Sequence, residues 1–304
     1  MKKLIILVNR IILRVNNHGL LASIRYIFIF LKKSKRINLD EIKTKKKFKL
    51  DDLCFLFGTD KGFLDRKKTF YKLNQNIEFK KKFPNYKTWL EEKNYKKYEY
   101  ELGLNYSKYY EKYFLKIRNK KLKILEIGVA AGHSLATWYK YFPKSEIFGI
   151  DIKDKTFLLY QGERLRYDIV DCLDTDSIND YCNKFGNFDI IIDDSFHDHP
   201  FFEKNIINFF PYLNSNGMYF LEDFLDADKK LKSIRQYNLK YKKKLMWGYD
   251  ITMHEKFNFF KNKKIFDDGI FSKQDLNYIY KHLKKIDIYY PGHPVSSLGV
   301  MTKK

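Results

Sequence analysis

Cysteine is scarce in this chain. Cys54, Cys172 and Cys182 are odd in number, scattered and without a C-x-x-C pair, which excludes a disulfide framework and a thiolate zinc site. That scarcity suits a reducing cytoplasm. Long apolar runs are missing as well. Residues 1–33 are the most apolar part of the chain, yet their longest uninterrupted stretches, residues 4–8 and 26–31, are too short to span a bilayer. Arg10, Arg14, Asn16, Asn17 and Arg25 interrupt them, and no small-residue cleavage site of a signal peptide follows. Acidic residues are in deficit, 37 Asp and Glu against 59 Lys and Arg, and the net charge of +22 favours acidic partners such as nucleic acid, anionic lipid or a nucleotide-linked substrate. Lysines spread along the whole chain are equally the mark of an ordinary solvated surface. What is present, 44% hydrophobic and 18% aromatic residues, excludes wholesale disorder.

Residues 1–33 are basic and amphipathic. They are expected to lie in the plane of an anionic membrane surface, or to pack as helices on the main domain or a second subunit. Lysine-rich residues 32–49 read as a linker that also suits anionic headgroups. The compact phrase Phe57-Gly58-Thr59-Asp60-Lys61-Gly62 comes next, and after a polar stretch residues 105–114 read as an aromatic-faced helix beside the main sheet. Tyrosines in a basic setting also suit base stacking, but at helical spacing core or lid packing is the preferred use.

Beyond Lys121 strands and helices alternate, the pattern of a parallel sheet covered on both faces. Strands are expected at residues 122–127, 147–151, 166–170, 188–193 and 218–222, the last after the turn Asn214-Ser215-Asn216-Gly217. Helices are expected at about 134–141 and 175–185, and one capped by Ser272 with Asp275 three residues on. Closing strands at 286–290 and 297–301 are close enough to pair antiparallel. The fold class is therefore α/β, a Rossmann-like seven-stranded sheet with helices on both faces, preceded by a basic amphipathic helical segment. Residues 1–49 form that segment and its linker, and 50–304 the main domain. Within it, 50–120 are a lid or helical part, 121–223 a cofactor-binding core, 224–284 a variable insertion and 285–304 the closing strands.

The first strand ends in Glu126-Ile127-Gly128-Val129-Ala130-Ala131-Gly132-His133-Ser134. Glycine lets the backbone turn sharply and approach a ligand. Glu126 would repel a pyrophosphate but attract a cationic amino group, and the spacing is not the G-x-G-x-x-G of dinucleotide binders. Both points favour S-adenosylmethionine, with Gly128 and Gly132 shaping the loop. Asp151 is placed for the ribose hydroxyls and Asp171 for the adenine amino group.

The fourth strand runs into Asp193-Asp194-Ser195-Phe196-His197-Asp198-His199, and the fifth into Glu222-Asp223. Neighbouring carboxyl ends border one crevice, so Asp194, Glu222 and Asp223 are expected to converge as oxygen ligands for Mg²⁺. His197 is the candidate general base. Capping of the following helices is the plainer use of such acids. His199, before a proline, is expected at a helix start, and His133 against the cofactor loop.

Residues 125–134, the Asp-Asp-x-x-His run, residues 216–223 and the upstream Gly-Thr-Asp-Lys-Gly together resemble the bacterial metal-dependent, macrolide-type sugar O-methyltransferases. The resemblance covers residues 50–62 and 105–223 in pieces. It implies Asp194, Glu222 and Asp223 as metal ligands, His197 as the base, and Glu126, Asp151 and Asp171 as cofactor contacts. It also implies a sugar hydroxyl on a glycan, glycolipid or glycosylated metabolite as acceptor, and a tendency to form homo-oligomers. Ser195-Phe196 replace the family's Gly-Ser, and the bulky Phe196 is expected to change the shape of the loop carrying His197. From the cysteine content and the N-terminal segment, the protein is expected in the cytoplasm or at the inner face of the membrane. Two other readings stay open: a methyltransferase of RNA, DNA or another small molecule, its nucleic-acid form weakened by the lack of an Asn/Asp-Pro-Pro-aromatic run, and a non-catalytic scaffold at a membrane surface.

Overall fold

The computed structural model describes residues 36–43, 48–62, 104–153, 158–225, 227–229, 231–232, 251–292 and 296–304. The expected amphipathic segment 1–33 and the stretch around Trp247 and Tyr249 lie outside them. A two-residue strand, β1 (Ile37–Asn38), precedes two helices, α1 (Leu50–Phe57) and α2 (Ser107–Phe114). Alternation then sets in with β2 (Lys123–Ile127), α3 (His133–Tyr141), β3 (Glu146–Asp151), the short β4 (Tyr160–Gln161), β5 (Leu165–Ile169) and α4 (Thr175–Phe185). It continues with β6 (Phe188–Asp193), α5 (His199–Phe209) and β7 (Leu213–Glu222). Two helices, α6 (Met253–Lys261) and α7 (Lys273–His282), lead to β8 (Leu283–Tyr289) and β9 (Leu298–Lys303).

The main sheet has seven strands in the order β5-β3-β2-β6-β7-β9-β8. All neighbours are parallel except β9, which runs against β7 and β8. From β2 the chain moves outward to β3 and β5, then returns to add β6 and β7 on the other side. The crevice at such a reversal, beyond the carboxyl ends of β2 and β6, is where open α/β sheets bind ligands.

Strands covered on both faces read as continuous apolar runs, and Ile190-Ile191-Ile192 shows why. Ile190 and Ile192 join the core under α1, α2 and α3, whereas Ile191 joins the one under α4, α5, α6 and α7. Cap chemistry places several boundaries. The side chain of Asp174 starts α4, and Ser272 with Asp275 forms a capping box on α7.

Two expectations need correction. The sequence pattern puts the fifth strand at Met218 after a turn, but β7 begins at Leu213 and runs through it. Asn214 donates to Asp189 Oδ1 at 2.8 Å, and the register shifts opposite Phe188 and Ile190. Residues 214–217 therefore form an irregularity inside the pairing, with Asn216 at φ 59°. Part of the expected linker is also docked. β1 pairs with β4, Leu39 is fully buried, and Lys140 Nζ donates to the Ile42 carbonyl at 2.7 Å. Apolar Leu39 and Ile42 give this stretch a core-facing side that the lysines around it disguise.

Leu39→Ala should therefore lower the unfolding free energy by about 2–4 kcal/mol. In urea melts the same change at exposed Leu115 should stay within about 0.5 kcal/mol. Equal, small effects at both sites would mean that the stretch is a linker after all.

Candidate active site

The loop between β2 and α3 is pressed against the loop that follows β6. Gly128 sits at φ 84°, and a Cβ there would lie 2.2 Å from the Asp194 carbonyl oxygen. No side chain fits, which is the local reason for glycine at the end of β2. Gly132, at φ 86°, stands directly before α3. Asp151, at the end of β3, accepts hydrogen bonds from the Val129 and Ala130 amides with Oδ2, both at 3.0 Å. It thus braces the loop expected to hold the cofactor. Asp171 is exposed, and its Oδ1 accepts from the Leu173 amide at 3.0 Å.

Glu126 is fully buried beneath this loop. Its Oε2 accepts from Ser134 Oγ at 2.7 Å, while Oε1 has no hydrogen-bond partner among the described residues. Burial pushes its carboxyl up to about 7, against the opposing pull of the Lys61 ammonium.

Asp194, His197 and Asp223 meet at the carboxyl ends of β6 and β7, with one ligand atom from each lying within 4.8 Å of the others. His197 Nε2 is 3.4 Å from Asp194 Oδ1, and Nδ1 is 3.6 Å from Asp223 Oδ2. The ring is held at a left-handed backbone turn, φ 48°. Partial burial would lower its pKa, but Asp194 and then Asp223 outweigh this and raise it above the ordinary 6.5. The Asp223 carboxyl is pushed up to about 7 by burial and by Asp194, with His197 and Tyr106 opposing.

Capping does not account for Asp194, because the N-cap of α5 is Asp198. Asp193 turns inward instead and accepts from Tyr219 and Asn205. His199 begins α5 and is buried against Asp228, and His133 meets the Tyr160 hydroxyl at 3.0 Å. Phe196 points outward, 70% exposed, and packs on Phe201 with ring centroids 4.7 Å apart. The substitution of Ser195-Phe196 therefore leaves His197 facing both acids.

Glu222 does not share the Asp194–His197–Asp223 cluster, because both of its oxygens are engaged. Tyr110 donates to Oε1, and Lys61 Nζ donates to Oε2 at 2.6 Å. Lys61 is buried and also reaches Asp194 Oδ2 at 2.6 Å and Glu126 Oε1 at 3.7 Å. Tyr106 donates to Asp223 Oδ1 and accepts from the Ser297 amide at 3.0 Å. Burial first, and the facing carboxylates second, push both phenols far up, so they remain donors. Reading the sequence for acids and histidine missed Lys61, Tyr106 and Tyr110. The available signals were the Gly-Thr-Asp-Lys-Gly phrase and the i, i+4 spacing of two tyrosines, which puts both hydroxyls on one side of a helix.

No protein-family model matches the chain. The mycinamicin VI 2''-O-methyltransferase of Micromonospora griseorubida is 31% identical over 129 residues, covering 40% of this chain and 32% of that protein. The 8-demethyl-8-alpha-L-rhamnosyl tetracenomycin-C 2'-O-methyltransferase of Streptomyces olivaceus is 33% identical over 125 residues, covering 39% and 32%. The solved MycE methyltransferase in complex with Mg, SAH and mycinamycin VI superposes with a TM-score of 0.51 at 21% identity, over 66% of this chain and 50% of that one. Over that part the chain is similar in sequence to macrolide-type sugar O-methyltransferases, and it shares the fold of the MycE methyltransferase. The matches span about a third of the length of these curated relatives, 32% in each case.

By NMR in metal-free protein, His197 should titrate above 6.5, and Asp223→Asn should lower its midpoint by removing one of the two charges that favour the imidazolium. A midpoint at or below 6.5 would show that the carboxylates do not face the ring in solution.

Proposed function

We propose that this protein is a Mg²⁺-dependent, S-adenosylmethionine-dependent O-methyltransferase that acts on a hydroxyl of a sugar-containing acceptor. The observation that carries this reading is His197, set between Asp194 and Asp223 at the carboxyl ends of β6 and β7, with the buried Glu126 near the end of the neighbouring β2.

The residues fit both groups. Oε1 of Glu126 accepts no hydrogen bond among the described residues and has only the Lys61 ammonium nearby, at 3.7 Å, so it is a buried acceptor suited to a cationic amino group. Asp194 and Asp223 each keep one oxygen that is not hydrogen-bonded to Lys61 or Tyr106, on the side of His197. Two such oxygens suit a hard divalent ion that keeps several waters. Asp151 and Asp171, at the ends of β3 and β5, would serve the ribose and the adenine. Glu222 has a place in the metal site only if Lys61 or Tyr110 releases one of its oxygens, so Asp194 and Asp223 are the stronger ligands.

S-adenosylmethionine supplies a methyl group on a positively charged sulfur, and a divalent cation supplies the charge that makes an alcohol proton easier to lose. His197 would take that proton as the hydroxyl oxygen accepts the methyl group, and Asp194 and Asp223 hold its ring in place beside the reacting hydroxyl. Exposed Phe196, next in the chain to His197, offers an apolar face to the acceptor. The basic residues 1–33 are read as an anchor to an anionic membrane surface on the cytoplasmic side. Among the described residues no helix is long and apolar enough to cross a membrane.

Calorimetry with S-adenosylhomocysteine should show binding that Glu126→Ala weakens tenfold or more, about 1.4 kcal/mol. Pairing Glu126 with an amino group favours its ionised form, so binding near pH 7 should release protons, visible as a dependence on buffer ionisation enthalpy. His197→Ala should leave that affinity unchanged while methyl transfer falls by roughly 10²–10⁴-fold. No binding of S-adenosylhomocysteine by the unaltered protein would remove the reading.

A further inference from the structure

Four carboxylates, Glu126, Asp194, Glu222 and Asp223, are drawn from the carboxyl ends of three adjacent strands into one largely dry nest. Like charges so placed resist joint ionisation unless cations lie among them. Among the described residues, Lys61 is the one lysine or arginine that reaches any of the four. Its side chain is 1% exposed, and its ammonium lies 2.6 Å from both Asp194 Oδ2 and Glu222 Oε2.

The nest has two compartments, and Asp194 belongs to both. The inner one is bounded by Asp194 Oδ2, Glu222 Oε2 and Glu126 Oε1, and Lys61 fills it. The outer one is bounded by Asp194 Oδ1 and Asp223 Oδ2, with the His197 ring beside them. The loop carrying Lys61 is rigidly placed. Asp60, Lys61 and Gly62 each accept a backbone hydrogen bond, from Leu104, Ser107 and Asn105 respectively, at 2.8–3.2 Å. A Cβ at Gly62 would lie 2.8 Å from Cys54 Cβ, so this loop is packed tightly on α1.

We propose that Lys61 is a built-in cation occupying the inner of two cation places, so that the nest accepts a single divalent ion in the outer place. The inference rests on the metal-dependent reading of the same site. One ammonium, one divalent ion and the net single positive charge of S-adenosylmethionine then balance the four carboxylates. Lys61 is thus a positioning residue. By tying down Oδ2 of Asp194 it leaves Oδ1 facing His197, and a mobile ion in the inner place would not fix that orientation.

The test is Mn²⁺ binding, counted by electron paramagnetic resonance on the full chain without cofactor. Mn²⁺ is chosen as a hard, oxygen-seeking stand-in for Mg²⁺. The unaltered protein should bind one ion and Lys61→Met two, with a larger rise in melting temperature on adding Mn²⁺ than the unaltered protein shows. Lys61→Met that folds only when Mn²⁺ is present supports the proposal if it then binds two ions, because one of them replaces the ammonium. A count of one for both proteins would overturn it, whether or not binding tightens, since lysine and metal would then compete for one place. Failure of the variant to fold even at millimolar Mn²⁺ would overturn it too. No Mn²⁺ bound by the unaltered protein, with one ion bound by Lys61→Met, would defeat the two-place proposal and the metal-dependent reading together. S-adenosylhomocysteine binding to the unaltered protein reports on the methyltransferase reading separately.

Discussion

Everything at the working edge of this molecule answers to the cost of gathering carboxylates away from water. Glu126, Asp194, Glu222 and Asp223 arrive there because they stand at the ends of adjacent parallel strands, and the sheet register leaves them nowhere else to go. An unpaired buried charge costs several kcal/mol even after relaxation. Each acid therefore has a partner brought from elsewhere in the chain. Lys61 comes from the loop after α1, Tyr106 and Tyr110 from the start of α2, and Ser134 from α3.

That requirement explains the helices stacked on one face of the sheet. α2 carries Tyr106 and Tyr110 one turn apart, so a single helix clamps two consecutive carboxylates of the β7 end. Its far end packs Phe114 against Trp138 and Phe220, which anchors the clamp in the core. Aromatic packing and the polar clamp are thus one construction. The tyrosine rings supply buried apolar area, and their hydroxyls supply the donors that buried acids need.

The opposite face has its own buried charges. Lys256 lies between Glu203 and Asp268, and His199 between Glu203 and Asp228. These groups tie α5, which begins just after His197, to α6. Asp228 also accepts from the Met253 and His254 amides at the start of α6. The loop carrying His197 is held from both faces, by Lys61 on Asp194 and by the buried His199 at the first turn of α5. The role proposed for His197, reaching a proton within a few tenths of an ångström, needs such support.

Much of this was legible in the residues. The alternation of apolar runs with helical stretches, bounded by Asp174, Ser272 and the glycine turn after Ile127, determines the succession of strands and helices along the chain and most element ends, because those signals are local. The meeting of Asp194, His197 and Asp223 was legible too, since parallel strands must share a carboxyl edge. Three things were decided only by tertiary structure. Which oxygens of the acids stay free depends on Lys61, Tyr106 and Tyr110, and a lysine 65 positions before Glu126 carries no local mark of the carboxylates it will meet. The docking of residues 36–42 depends on a groove beside α3 that exists only after the sheet has formed. The removal of Glu222 from the open cluster depends on two donors arriving from different segments. Sequence determines what lies near in the chain and what periodicity dictates, whereas the pairing of buried charges is settled by whichever distant groups the folded core brings within hydrogen-bond reach.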